Sequence, residues 1–270
     1  MPDFPRMLKY YIMLTAASVL VGFTVMFFFD NLPRVFMSIP FLQKIAPLTP
    51  IIGIGIIEFL EFAMVHRMWT KRQGLLATLK DKAYQHSFFY ICFGMNLEYV
   101  VITRMFLPTP WVEEIGKIFA TPLLSFVSVW IPYTSIIRIV AGISFLAIGL
   151  TLLYRSTMTF GLDYLLYMYL YFPEGSEIQR NAIYSIVRHP TYLSFILMNF
   201  GGALWWFSAY SFTFFLIIVI RWEYHIHFVE EKELIERFGE SYRRYQKSVP
   251  AFVCSPKRVK QFFQFLLGKL

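Results

Sequence analysis

The longest uncharged stretch of the chain is the feature that most limits its fold. Residues 192–220 contain no Asp, Glu, Lys or Arg over 29 consecutive positions, and polar clusters stand on both sides. The cluster before it reads Tyr-Ser-Ile-Val-Arg-His-Pro-Thr-Tyr (184–192), and the cluster after it reads Phe-Val-Glu-Glu-Lys-Glu-Leu (228–234). One membrane crossing needs about 20 residues and two need about 40. The length alone therefore leaves both one long helix and a tight hairpin open.

The composition predicts an integral membrane protein. Of 270 residues, 57% are hydrophobic and only 16% are charged, with a mean hydropathy of +0.53. The first apolar run, 10–29, is long enough to span and has no cleavage motif after it, so we expect a retained first helix. The excess of basic residues lies in predicted loops and in the C-terminal tail. We therefore expect anionic lipid headgroups as a partner, and no nucleic acid.

Further apolar runs predict a polytopic all-α protein with about six transmembrane helices. Runs at 48–65, 88–107 and 136–154 are each long enough for a crossing. The run at 119–131 is too short and stands between prolines, so we expect it to be re-entrant or interfacial. An aromatic run at 164–172 predicts an interfacial helix.

Charge sets the predicted orientation and the division of the chain. The segment 67–86 is read as a strongly basic loop, which predicts a cytoplasmic position. If 119–131 does not cross, both termini and the basic tail are cytoplasmic too. We expect N-terminal transmembrane helices over 1–155 and a functional core over 156–270, made of the interfacial segment, a hairpin at 192–228 and the tail.

Three carboxylates fall inside predicted spans. Glu58 and Glu61 share one helical face, and Glu98 lies in the middle of the next span. Charges at such depth mark a polar cavity or a paired structural site. The favoured interpretation for Glu58 and Glu61 is that they reach the headgroups or pair with Arg67 and Lys71. No metal site is expected, since His225 and His227 do not share a helical face.

Small and interfacial residues favour a hairpin in the uncharged block. Gly201 and Gly202 precede a group of tryptophan, serine and tyrosine residues, as at a tight reversal near an interface. A hairpin would bring both polar clusters to one membrane face. In one continuous helix, Arg188 and Glu230 would be about 60 Å apart and unable to share a site.

The same residues carry a resemblance to a known family. Several motifs taken together look like the isoprenylcysteine carboxyl methyltransferase family. They are Arg188-His189-Pro190 followed by Thr-Tyr-Leu, the two glycines, the Glu-Glu pair at 230–231 with Leu234, and the run 238–245 followed by Val-Pro. That family belongs with the phospholipid methyltransferases. The resemblance covers roughly the last 90 residues and supports the hairpin.

The resemblance implies a cytoplasmic pocket for S-adenosylmethionine without a Rossmann sheet. Arg188 and His189 would hold the carboxylate of this cofactor, and Glu230 or Glu231 would accept hydrogen bonds from its ribose hydroxyls or amine. Aromatic rings would face the adenine or the sulfonium, the candidates being Tyr184, Tyr192, Tyr242 and Tyr245. No catalytic residue is assigned, because methyl transfer requires chiefly positioning. A small lipophilic acceptor is expected: a carboxylate, a thiol or a lipid amine.

Three departures from the family pattern and two other functions bear on this hypothesis. Ala182 and Ser194 stand where the family usually has Gly, and Ser248 stands where eukaryotic members have Arg, which weakens the case for a prenylated cysteine as the acceptor. An NADPH-dependent reductase of the sterol reductase type is one alternative. A scaffold or transporter whose path is lined by the three intramembrane carboxylates is the other.

Overall fold

The regular structure of the described chain is helical, as predicted. The computed structural model describes residues 4–79, 83–107, 117, 119–123, 134–161 and 176–269. Across these residues no strand occurs, and an isolated bridge pairs Pro122 with Ser208. The main helices are α1 Phe4–Met37, α2 Thr49–Leu79, α3 Ala83–Phe106, α4 Thr134–Phe160, α5 Pro190–Trp206, α6 Ala209–His225, α7 Glu231–Phe238, α8 Glu240–Ser248 and α9 Val259–Leu266.

Four helical runs in the described residues are long and apolar enough to cross a membrane. They are Ile12–Met37, Ala46–Arg67, Ser135–Phe160 and Ala209–Phe238. This agrees with an integral membrane protein, whereas the predicted total of about six crossings and the cytoplasmic termini stay predictions. The predicted loop at 67–86 is wrong, because α2 continues to Leu79 and α3 begins at Ala83. Most of 119–131 and all of 164–172 lie outside the described residues.

The chain forms two compact units, and each is assembled from several segments. The first unit contains 1–65, 89–146 and 199–221, and the second contains 66–88, 147–198 and 222–270. In the first unit, α1 lies so close to α3 that a Cβ on Gly22 would be 2.9 Å from Val100. In the second unit, the apolar core includes Leu152, Ile183, Ile186, Phe262 and Phe265. The predicted division after residue 155 stays a prediction.

The uncharged block folds as two helices with a short turn. Helix α5 ends at Trp206 and α6 begins at Ala209, and Phe207 between them has a φ of 51°. Ring contacts join the two helices: Phe200 to Phe215 at 5.3 Å between centroids, and Phe195 to Trp222 at 5.7 Å. The chain thus reverses, as a hairpin requires.

The glycine pair has a different role from the one predicted. Gly201 and Gly202 lie inside α5, before the turn. A Cβ on Gly201 would clash with the carbonyl oxygen of Gly142 on α4, and a Cβ on Gly202 would clash with Met105 on α3. These positions are small because helix backbones approach closely there, as is common in membrane bundles.

Candidate active site

Arg188 and His189 lie at the entrance to α5. A short 3-10 turn, Ala182–Ser185, precedes them, and Pro190 occupies the first position of the helix, where its missing N–H is not needed. The backbone N–H groups of Arg188 and His189 donate to the carbonyl oxygens of Pro250 and Ala251, at 2.9 and 3.1 Å. The segment that follows α8 is therefore held against the start of α5.

The Arg188 side chain joins three parts of the second unit. Its Nε and Nη2 donate to Oε1 of Glu231 at 2.9 and 2.6 Å. Its Nη1 donates to the carbonyl oxygens of Gln246, at 3.0 Å, and of Val249. Gln246 in turn donates from Nε2 to the other oxygen of Glu231, at 3.1 Å. Both oxygens of the Glu231 carboxylate thus accept hydrogen bonds from the protein.

His189 is buried between the two adjacent glutamates. Its Nε2 is 3.0 Å from Oε1 of Glu231, and its Nδ1 is 3.6 Å from Oε1 of Glu230. Burial by itself would lower the pKa of His189, but the hydrogen bonds and negative charges of Glu230 and Glu231 outweigh it and raise the pKa to about 9. The imidazole is therefore a cation at neutral pH, and the site holds two positive and two negative groups.

Buried polar atoms without a hydrogen-bond partner among the described residues occur in this site. Oε2 of Glu230 and the hydroxyl oxygen of Tyr242 are among them. Burial, and next the charges of Glu231 and Glu230, raise the pKa of Tyr242, so its hydroxyl stays protonated. A buried polar atom without a partner costs about 1–3 kcal/mol, and such atoms are the ones that a polar ligand would satisfy. Glu230 and Tyr242 thus keep unused hydrogen-bonding capacity, whereas both oxygens of Glu231 accept hydrogen bonds.

The tyrosines predicted to bind the cofactor separate into two groups. Tyr245 donates its hydroxyl to the carbonyl oxygen of Tyr184 at 2.5 Å, which ties α8 to the 3-10 turn. Burial raises the pKa of both phenols. Tyr192 instead contacts rings of the site, with centroids 4.6 Å from Trp222 and 5.9 Å from His189. The binding roles of all four tyrosines stay predictions.

Three residues of the site were not anticipated from the sequence. Trp222 and His225 both contact the Tyr192 ring, and Gln246 supports Glu231. Trp222 and His225 are three residues apart and so share a helical face, a signal that was present but was missed. Gln246 carries no comparable signal, because it is one polar residue among several on an amphipathic helix.

A π-helix sets the direction of the two glutamates. Residues Ile226–Glu230 form five residues of π-helix between α6 and α7. Such segments are rare and often occur at functional sites, because the wider turn changes the direction of the residues that follow. Here the change lies immediately before Glu231, and both Glu230 and Glu231 are buried. Glu236 is exposed, whereas Glu233 is half-buried and pairs with Arg237.

The three intramembrane carboxylates surround one arginine in the first unit. Arg221 on α6 lies 2.6 Å from Glu58, 2.5 Å from Glu61 and 3.0 Å from Glu98, and Asn199 donates to Glu98 at 2.8 Å. Glu58 and Glu61 are only 2% and 3% exposed, so the predicted reach to the headgroups is wrong. Arg221 was not anticipated as their partner. The geometry of the three carboxylates would also suit a metal ion, but the guanidinium already supplies a positive charge.

The part of the chain that carries the Arg-His and Glu-Glu clusters matches known proteins. Residues 137–241 match the family model described as phospholipid methyltransferase. This region is similar to the membrane methyltransferases. Methanethiol S-methyltransferase of Pseudomonas deceptionensis is 32% identical over 93 residues, which are 32% of this chain and 32% of that enzyme. The chain thus matches about a third of the relative's length. No solved structure matches.

The departures from the methyltransferase pattern have visible structural settings. Ala182 has a φ of 49°, a backbone conformation that favours glycine, which explains why the family usually has Gly there. Ser194 is buried, and a Cβ on Gly149 of α4 would be 2.8 Å from its carbonyl oxygen, so this position needs a small residue. Ser248 is exposed at the end of α8, where its hydroxyl donates to the carbonyl oxygen of Tyr245.

Proposed function

We propose that the protein is an integral membrane methyltransferase that uses S-adenosylmethionine and acts on a small lipophilic acceptor. The observation that carries the proposal is the presence of two buried polar atoms without hydrogen-bond partners among the described residues, Oε2 of Glu230 and the Tyr242 hydroxyl, beside the hydrogen-bonded Arg188–Glu231 pair. The family match over 137–241 supports the reaction class. Its pocket is proposed to face the cytoplasm.

The residues present fit the proposed cofactor. S-adenosylmethionine carries an amine, a carboxylate, two ribose hydroxyls and an aromatic base, and when bound it supplies a methyl group on a positively charged sulfur. Glu230 would accept from the amine or a ribose hydroxyl, the Tyr242 hydroxyl would donate to an oxygen of the cofactor, and the positive charge of His189 would attract the cofactor's carboxylate. Tyr192 and Trp222 provide ring faces for the base or the sulfonium. Arg188 is assigned to positioning Glu231, since four of its five N–H donors are already used.

The remaining task of the chain is to orient the acceptor and exclude water. Direct displacement at a methyl group needs the attacking atom in line with the bond that breaks, so positioning supplies much of the rate. The acceptor atom would gain the methyl group as the methyl–sulfur bond of the donor breaks and its electron pair returns to the sulfur, which becomes a neutral thioether. The acceptor's own proton, if it has one, would be released to bulk solvent. The similarity to a methanethiol S-methyltransferase makes a thiol the first acceptor to test, followed by a carboxylate and a lipid amine.

Calorimetry on detergent-purified protein tests the donor. We expect S-adenosylmethionine to bind, and Glu230→Gln to weaken binding about 10- to 100-fold, because a charged hydrogen-bond acceptor is lost. The control is Glu236→Gln, an exposed carboxylate on the same helical run, which should bind as the unmodified protein does. Binding of NADPH in place of S-adenosylmethionine by a folded sample would support the reductase and reject the proposal.

A second experiment tests the acceptor. Protein in membranes is supplied with S-adenosylmethionine labelled in its methyl group and with methanethiol, a long-chain thiol or total lipid extract, and the labelled product is identified by mass. Binding of the donor with no transfer to any of these would leave the cofactor assignment standing and reject the acceptor class.

The scaffold or transporter hypothesis loses its main observation, because Glu58, Glu61 and Glu98 pair with Arg221.

A further inference from the structure

The C-terminal helix α9 has two apolar faces, and only one is used inside the protein. Phe262 and Phe265 are buried in the core of the second unit with Ile183, Ile186 and Leu152. Arg155 lies over the Phe265 ring, 5.1 Å from its centroid. This inner face fixes α9 against the 3-10 turn that precedes Arg188.

The outer face of α9 presents an apolar stripe. Val259, Phe263 and Leu267 follow each other at intervals of four, so they lie along one side of the helix. They are 39%, 49% and 69% exposed. Val253, in the segment between α8 and α9, is another exposed apolar residue, at 82%. A row of exposed apolar side chains on a helix whose other side is already packed indicates contact with an apolar environment.

Basic residues surround this stripe. From Ser241 to Leu270 the chain has seven Lys or Arg residues and no Asp or Glu. Lys257 and Lys260 are exposed beside the start of the stripe, and Lys269 is exposed at its end. An apolar stripe bordered by lysines is typical of helices that lie in the plane of a membrane surface.

We infer that α9 and the loop before it dock onto an anionic lipid surface, with Val259, Phe263 and Leu267 inserted and Lys257, Lys260 and Lys269 at the phosphates. The positive charge around the stripe favours a lipid surface over a second copy of the chain. A second copy of the chain would bring the same basic face against itself, whereas a negative bilayer surface attracts it. The inference is independent of the proposed enzymatic function. Because α9 also packs on the turn before Arg188, lipid docking would brace the segment that leads to Arg188 and His189.

Site-specific fluorescence on the full-length protein tests the inference. An environment-sensitive label is placed at Phe263→Cys in a Cys92→Ser, Cys254→Ser background, and the protein is reconstituted in nanodiscs of phosphatidylcholine alone or with phosphatidylglycerol. The control is Gln261→Cys, an exposed position on the opposite side of α9. With phosphatidylglycerol, spin-labelled lipid should quench position 263 at least about threefold more than position 261.

A second variant checks the role of charge. Combining Lys257→Gln, Lys260→Gln and Lys269→Gln should abolish the dependence of quenching on phosphatidylglycerol while leaving the melting temperature unchanged, since these side chains are exposed. Equal quenching at 261 and 263 in both lipids would overturn the inference. So would a label at 263 that is shielded from water but not quenched by lipid, because this would indicate a protein partner such as a second copy.

Discussion

Arg188 and Glu231 are 43 residues apart in sequence, yet Nε and Nη2 of the arginine both donate to one oxygen of the glutamate, at 2.9 and 2.6 Å. The same arginine donates to the carbonyl oxygens of Gln246 and Val249. This pair therefore joins the start of α5, the start of α7 and the end of α8. The adjacent Glu230 is left with a buried oxygen, Oε2, that has no hydrogen-bond partner among the described residues. Two neighbouring glutamates thus have different roles.

The first prediction concerns stability. Glu231→Gln keeps the shape of the side chain but removes the charge opposite Arg188 and His189. Breaking a buried ion pair from one side costs about 3–5 kcal/mol, so we expect a clear drop in melting temperature in detergent. Glu236→Gln, at an exposed position, is the control. Equal melting temperatures for the two variants would contradict a structural role for Glu231.

The second prediction separates two buried tyrosines. Tyr242→Phe removes a hydroxyl without a described partner, so stability should be unchanged or slightly higher, while affinity for S-adenosylmethionine falls. Tyr245→Phe removes the hydrogen bond to Tyr184 and should lower the free energy of unfolding by about 0.5–1.5 kcal/mol. Thermal melting and calorimetry on both variants measure the two effects. A Tyr242→Phe variant with full donor affinity would remove this hydroxyl from the site.

The third prediction concerns pH. The pKa of His189 is raised from 6.5 to about 9, so the protonated ring stabilises the fold. This stabilisation is complete below about 6.5, the pKa of an exposed imidazole, and it is lost as the pH rises through about 9. Melting temperatures measured across this range should fall for the unmodified protein. The slope should be smaller in His189→Gln, and an equal slope in the two proteins would show that another group is responsible.

The fourth prediction concerns the arginine among the intramembrane carboxylates. Arg221→Met leaves Glu58, Glu61 and Glu98 facing each other with no guanidinium between them, and removing one partner of a buried ion pair costs about 3–5 kcal/mol. We expect poor folding yield and a strongly lowered melting temperature. Glu223→Gln, two residues along the same helix and half-exposed, should be close to neutral. An Arg221→Met variant as stable as this control would show that protons alone neutralise the cluster.

The fifth prediction uses the unfavourable backbone conformation at Ala182. A non-glycine residue at a φ of 49° costs about 1–2 kcal/mol relative to the ordinary helical region. Ala182→Gly should therefore raise the free energy of unfolding by about 1 kcal/mol, although glycine normally destabilises. Gly239→Ala, at a φ of 57°, is the matched reverse change and should destabilise. A melting temperature lowered by Ala182→Gly would contradict this reasoning.

The sequence by itself determined the membrane class, the helical character and the two polar clusters. These follow from local properties, because about 20 apolar residues must cross as a helix and a run of basic residues must stay outside the hydrocarbon core. The motif around Arg188 and Glu230 also indicated the family, since its order and spacing are readable without coordinates. The segment 67–86 was misread as a loop because its charges are compatible with either a loop or a helix that leaves the membrane.

Only the tertiary structure decided which charges pair and which polar atoms are left without a hydrogen-bond partner among the described residues. Arg221 lies 123 residues from Glu98 in the chain, and nothing local to either residue selects the other. The sequence likewise does not distinguish Glu230 from Glu231, because the two residues are adjacent. Their surroundings differ because a π-helix begins at Ile226 and because Gln246 and Val249 accept hydrogen bonds from Arg188. Ion pairs and hydrogen bonds depend on positions in space within a few tenths of an ångström, and these arise only when distant segments pack together.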